Sequence, residues 1–137
     1  MARTTRTRAV PRSRAPALLA KAGEFAASAR DEFEVGRHNA SALAAIHAGI
    51  SAADAVTVHT GGVVSTGPSH ATVIHVLEQC LPGGPPAAAE RQLLGILRMK
   101  NDIEYTERAI ERSQARVLVD QAERFVRWSR SLIEESG

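Results

Sequence analysis

The feature that most limits what this chain can fold into is an alanine-rich run from Asn39 to about His59, NASALAAIHAGISAADAVTVH, which contains no proline. At 3.6 residues per turn it makes a helix of five or six turns. Alanine is the best helix former, and the chain holds 24 of them against only 4% aromatic residues. A sheet would call for β-branched and aromatic residues instead. Close-packed helices are therefore expected, and no strand-like alternation longer than four residues opposes them.

The rest of the chain divides by its punctuation. Pro16 suits the first turn of a helix. Leu18, Ala22, Phe25, Ala29 and Phe33 then recur on one helical stripe, which Gly36 ends. Asn39 or Ser41 is the expected cap of the long run. Thr60-Gly61-Gly62 to Gly67-Pro68 reads as a loop, and Ser69 caps a short helix from His70 to about Cys80. The Leu81-Pro82-Gly83-Gly84-Pro85-Pro86 break precedes a helix from about Ala87 to Tyr105 or slightly beyond, since residues 106–113 hold no Gly or Pro to end it. A last helix, capped by Ser113, carries Leu118, Ala122, Phe125, Ser129 and Leu132 on one stripe. The expectation is an all-α, up-and-down bundle of four longer helices plus one short helix.

With 137 residues the chain has room for one domain. Its single cysteine, Cys80, excludes an intrachain disulfide. The net charge of +2 hides an uneven split. Residues 1–14 carry five arginines and no acid, whereas residues 15–137 hold 12 basic and 15 acidic residues. The expected organisation is thus a disordered basic tail, 1–14, on a mildly acidic domain, 15–137. Composition gives no sign of a basic groove on the domain, and removing residues 1–14 is expected to leave any site there untouched. The tail lacks the apolar core of a secretory signal. No stretch approaches 18 unbroken apolar residues, so no membrane association and a cytoplasmic location are expected.

Two constellations place polar residues on apolar helix faces. On the long run, Leu43, Ile46, Ile50 and Ala53 occupy one arc, with His47, Ser51 and Asp54 together on its edge. An Asp beside a His orients an imidazole and raises its basicity. The competing reading is a helix edge hydrogen-bonded to a neighbour. On the fourth helix, Leu93, Ile96, Leu97 and Ile103 define an arc that includes Lys100 and Glu104, with Asn101 beside them. A lysine facing inward must be paired or lose its proton. Lys100 and Glu104 can pair, or the arc can face a wet groove, or the group can be a functional site. His59, His70 and His75 lack a ligand spacing, and no HExxH run occurs, so no metal and no cofactor are expected.

Residues 37–59 resemble the long second helix of HEPN-superfamily domains, small helical bundles named from higher-eukaryote and prokaryote nucleotide-binding proteins. The run LLGILRMKNDIEY, residues 93–105, resembles the segment bearing that superfamily's Arg-Asn-x-x-x-His signature. Lys100 stands where the Arg would be, Asn101 matches, and Tyr105 stands where the His would be. The closing helix, ARVLVDQAERFVRWSRSLIEE, is also similar to its counterpart in such domains. The likeness covers roughly residues 17–135 and is strongest to HEPN-like families of actinobacteria.

The resemblance implies an HEPN-like bundle acting as a homodimer. Many such domains are metal-independent ribonucleases, often toxins, whose two subunits build one composite site. In that setting Lys100 would supply a cation for the phosphorane charge. Tyr105 would donate a proton but hardly accept one, since its unperturbed pKa lies near 10. The first expectation is therefore a non-catalytic module binding a nucleotide, RNA or a protein partner through Lys100, Asn101, Glu104 and Tyr105, with His47 and Asp54 from the second helix. A second is a toxin–antitoxin endoribonuclease using Lys100 and Tyr105 catalytically. A third is a partner of a nucleotidyltransferase-fold protein, with Tyr105, the chain's only tyrosine, as the modified residue.

Overall fold

In the computed structural model, residues 6–67 and 69–136 are described, apart from the side chains of His70, Tyr105 and Ser136. Five helices account for most of them: α1 Ala15–Glu34, α2 His38–Gly61, α3 His70–Cys80, α4 Ala87–Tyr105 and α5 Arg112–Ser136. The protein is an all-α bundle of four longer helices and one short one, as the sequence indicates. α2 lies at its centre and packs against each of the other four helices. Its alanines explain why. Ala42, Ala45, Ala48, Ala52, Ala53 and Ala55 are all buried, so small side chains face neighbours around most of the circumference. A helix apolar all round belongs in a core. By length and composition α2 could also cross a membrane, but 72% of its most apolar window is buried inside the bundle.

Close packing continues outward. Gly49 of α2 touches α4 so tightly that a Cβ there would meet Ile96 at 3.0 Å. The α1 face is Leu19, Ala22, Ala26, Ala29 and Phe33, with Leu18 and Phe25 on its flank. α5 supplies Ala115, Leu118, Val119, Ala122, Phe125, Val126 and Ile133. Arg30 of α1 ties α1 to α5, reaching Glu123 at 2.7 Å and Asp120 at 3.0 Å. These charge-assisted bonds raise the guanidinium's already high pKa, Glu123 most strongly.

The helix ends depart from the sequence reading. α2 starts at His38 with no side-chain cap. Asn39 instead accepts a bond from the Ile110 N–H at 2.8 Å, fastening the connection between α4 and α5. Ser41, fully buried, donates to the Ala29 carbonyl at 2.7 Å. Ser113 lies inside α5 rather than capping it. Leu43, placed on an inward arc from sequence, is 40% exposed, because the α1, α4 and α5 neighbours cover the other sides of α2. Ser69 does cap α3, accepting from the Thr72 N–H.

The largest correction concerns the N-terminus. Residues 7–9 were expected within a disordered tail. They form a strand, β1 Thr7–Ala9, paired antiparallel with β2 Val63–Ser65 just after α2. The register sets Arg8 opposite Val64. Val10 N–H continues the pairing to the Gly62 carbonyl at 2.9 Å, and a 3₁₀ turn at Arg12–Arg14 leads into α1. Gly62 makes this possible by closing α2 at φ 66°, in the left-handed region where glycine carries no Cβ penalty. Beside it, Gly61 leaves room for α3, since a Cβ would stand 2.5 Å from Cys80 Sγ. Residues 1–5 of the expected tail lie outside the described residues.

Candidate functional site

Three of the residues singled out from sequence line one cleft. It has a volume of about 430 Å³ and lies where α2, α3, α4 and the β2–α3 loop meet. Asp54 comes from α2, while Lys100 and Asn101 come from α4. Ser65, at the end of β2, and Ser69, from the β2–α3 loop, also line it, and Ile50, Val73 and Leu97 form an apolar wall. None of the loop or wall residues was anticipated as part of the site. Ser65 stands out because its Oγ is buried without a hydrogen-bond partner among the described residues. An unpaired buried hydroxyl carries a desolvation cost that a ligand's polar group would relieve. The signal for it was not local: Ser65 is positioned by pairing with Thr7, 58 positions away.

Asp54 is the most perturbed group in the cleft. Burial pushes its carboxyl from the ordinary 3.8 up to about 6, against the opposing pull of Lys21 and Arg8. Desolvation of the carboxylate therefore outweighs two cations. A carboxyl half-titrated near pH 6 can either accept or donate a hydrogen bond close to neutrality. The same residue borders a second cleft of about 430 Å³, framed by Arg8, Pro11, Arg14, Leu18 and Lys21. The N-terminal strand is thus electrostatically coupled to the site. Residues 1–14 were expected to leave the site untouched when removed, whereas Arg8 lies near enough to Asp54 to act on its charge.

Lys100 lies less deeply than its arc suggested. Its side chain is 31% exposed and reaches Glu104 at 3.3 Å, and Glu104 is 33% exposed. Among the described residues of α4 the last fully buried one is Leu97; beyond it Met99 and Ile103 still pack on the core but are only half-buried, and Lys100 lies between them at its edge. Lys100 sits at the rim of the cleft, paired with Glu104 on its own helix. Asn101 is exposed beside it. Glu104 pairs with Lys100 but does not line the cleft. Tyr105 closes α4 in sequence, and its side chain lies outside the described residues.

His47 does not join this group. It is exposed, and its ring packs on Phe25 of α1 with centroids 5.3 Å apart. The His47–Ser51–Asp54 edge is therefore split: Ser51 is buried, His47 faces outward beside α1, and only Asp54 reaches the cleft. Two helical turns separate His47 from Asp54, and the cleft covers only the C-terminal half of α2. Among the described residues no group of three or more His, Cys, Asp or Glu is placed to hold a metal ion.

The architecture and the sequence now meet an independent comparison. A search of curated proteins returns no match to the chain. The family model for the HEPN domain, however, matches residues 15–132, from the start of α1 to the last turns of α5. The chain belongs to the HEPN domain family.

Proposed function

We propose that this chain is a non-catalytic HEPN-like module that binds a nucleotide or the end of an RNA strand in the Lys100 cleft, acting as a homodimer. The observation that carries this reading is the convergence of Lys100, Asn101, Asp54 and the unpartnered Ser65 on one partly apolar cleft. Each element has a matching ligand group. The Lys100 ammonium is a point charge for a phosphate at the cleft rim. The Asn101 amide and the Asp54 carboxyl offer donors and acceptors to a base edge. Ile50, Val73 and Leu97 supply the apolar surface on which a base is desolvated.

One observation favours a second reading. Asp54, pushed up to about 6, has the pKa of a general acid or base at physiological pH. An endoribonuclease could use it with Lys100 as the phosphorane cation. The two readings separate in one assay. Purified protein, its dimeric state verified by sedimentation, is incubated with mixed RNA and separately with nucleoside monophosphates. The binding module retains monophosphate in equilibrium dialysis, loses it in Lys100→Ala, and leaves the RNA intact. RNA cleavage that disappears in both Lys100→Ala and Asp54→Asn overturns the binding-only role. A monomer at tens of micromolar overturns the dimer.

A further inference from the structure

A second polar surface lies on the opposite side of α4 from Lys100. A groove of about 670 Å³ runs between α4 and α5, lined by Ala88, Arg91, Gln92, Leu94, Gly95, Arg98, Gln121 and Arg124. We propose that this groove binds the phosphodiester backbone of a single-stranded nucleic acid through Arg91, Arg98 and Arg124. The proposal is independent of the Lys100 cleft, with which the groove shares no residue.

Charge makes the first argument. The domain carries more acids than bases, yet three of its arginines line this furrow and no carboxylate does. Some arginines elsewhere on the bundle are neutralised, Arg30 by Glu123 and Asp120, Arg37 by Glu32 and Arg130 by Glu134, whereas Arg108, Arg116 and Arg127 stand exposed outside the groove. Among the described residues, Arg91, Arg98 and Arg124 enter no such pair. Three like charges around one furrow repel each other, which a bound polyanion reverses. Guanidinium also matches phosphate oxygens with a planar, two-pronged donor set.

Geometry selects the ligand. Arg91 and Arg98 lie seven residues apart on α4, about 10.5 Å at 1.5 Å per residue, and Arg124 faces them from α5. That spread suits several phosphates in a row, because three guanidiniums drawn onto one phosphate would crowd each other. Gln92 and Gln121 place neutral donors between the charges. The two helices approach closely at Gly95, where a Cβ would stand 2.4 Å from Gln121 Nε2, so the floor is shallow and the furrow narrow. Packed helices are roughly 8–10 Å apart between axes; a single strand lies along such a furrow and a duplex does not enter it. A protein partner would need an aromatic or large apolar anchor at the centre. The groove offers only Ala88, Gly95 and a half-covered Leu94.

The test measures binding of a short fluorescein-labelled single-stranded RNA by anisotropy, alongside quenching of Trp128. This is the only tryptophan, one turn beyond Arg124 on α5. The variant is Arg91→Gln/Arg98→Gln/Arg124→Gln. The charge-matched control is Arg108→Gln/Arg116→Gln/Arg127→Gln, which removes three exposed arginines outside the groove. Releasing about 0.7 counterion per phosphate contact makes the wild-type salt slope steeper than the groove variant's by about 2. Between about 50 and 200 mM salt, wild type therefore loses about 20-fold more affinity than the groove variant. The control keeps the wild-type slope and the Trp128 response. Equal slopes for wild type and groove variant overturn the proposal. So does equal or tighter groove-dependent binding of an acidic peptide of the same charge.

Discussion

Replacing Asp54 by Asn tests the unusual electrostatics of the cleft directly. In the unfolded chain the Asp54 carboxyl releases its proton near 3.8, whereas in the fold burial holds that proton up to about 6. Between those values the folded state binds more protons than the unfolded one. Stability from this residue is thus fully present below 3.8 and is lost as pH rises through 6, by 1.36 kcal/mol per pH unit. The loss levels off at about 3 kcal/mol above pH 7. Asparagine does not titrate, so Asp54→Asn escapes the loss and differs from wild type otherwise only by a constant. Urea unfolding midpoints of both proteins, measured from pH 4 to pH 8, isolate the effect from every other titrating group. The stability gained by the variant should grow from pH 4 to pH 6 and stay level beyond about pH 7. A difference that does not change with pH would show that Asp54 is solvated and that its burial is not what perturbs it. A difference that shrinks as pH rises would mean that Arg8 and Lys21 dominate over desolvation.

Two further outcomes probe the bundle. Phe125 is fully buried on α5, so Phe125→Ala should cost about 3–5 kcal/mol, read as a lowered urea midpoint with helical circular dichroism retained in water. Arg30 is a third exposed, and Arg30→Gln should cost roughly 1 kcal/mol at low salt and less at high salt, because its bonds to Glu123 and Asp120 are partly screened.

Much of the helical framework was legible because this chain marks its breaks strongly. Gly36, the Gly61-Gly62 pair and the Pro-Gly cluster at 82–86 each terminate or separate helices through backbone restrictions that act locally. The features that escaped depend on partners distant in sequence. Thr7–Ala9 has no alternation to announce a strand, since three residues suffice when Val63–Ser65 waits at the end of α2. Asn39 and Ser41 have the chemistry of caps, but Ile110 and Ala29 claim their side chains. The helical arc through Lys100 was right in angle and wrong in depth, because periodicity does not reveal how deeply neighbours cover an arc: Met99 and Ile103 pack on the core while Lys100 stays a third exposed. Asp54 from the α2 edge and Lys100 and Asn101 from the α4 arc do meet in one cleft, while His47, two turns before Asp54 on α2, packs on Phe25 instead. The arginine groove was hidden by the whole-domain charge, which averages Arg91, Arg98 and Arg124 with acids on other faces. The seven-residue spacing of Arg91 and Arg98 on α4 was the one trace of it in the sequence.

The most direct test of the central claim is an NMR titration of isotope-labelled protein with a nucleoside monophosphate, following the Asn101 side-chain amide and the backbone amides of Ser65 and Ser69. Saturable shifts at these three positions, abolished by Lys100→Ala and weaker when the phosphate is removed from the ligand, are the predicted result. Shifts scattered over other faces of the bundle, or saturable shifts that persist unchanged in Lys100→Ala, would contradict a nucleotide site in this cleft.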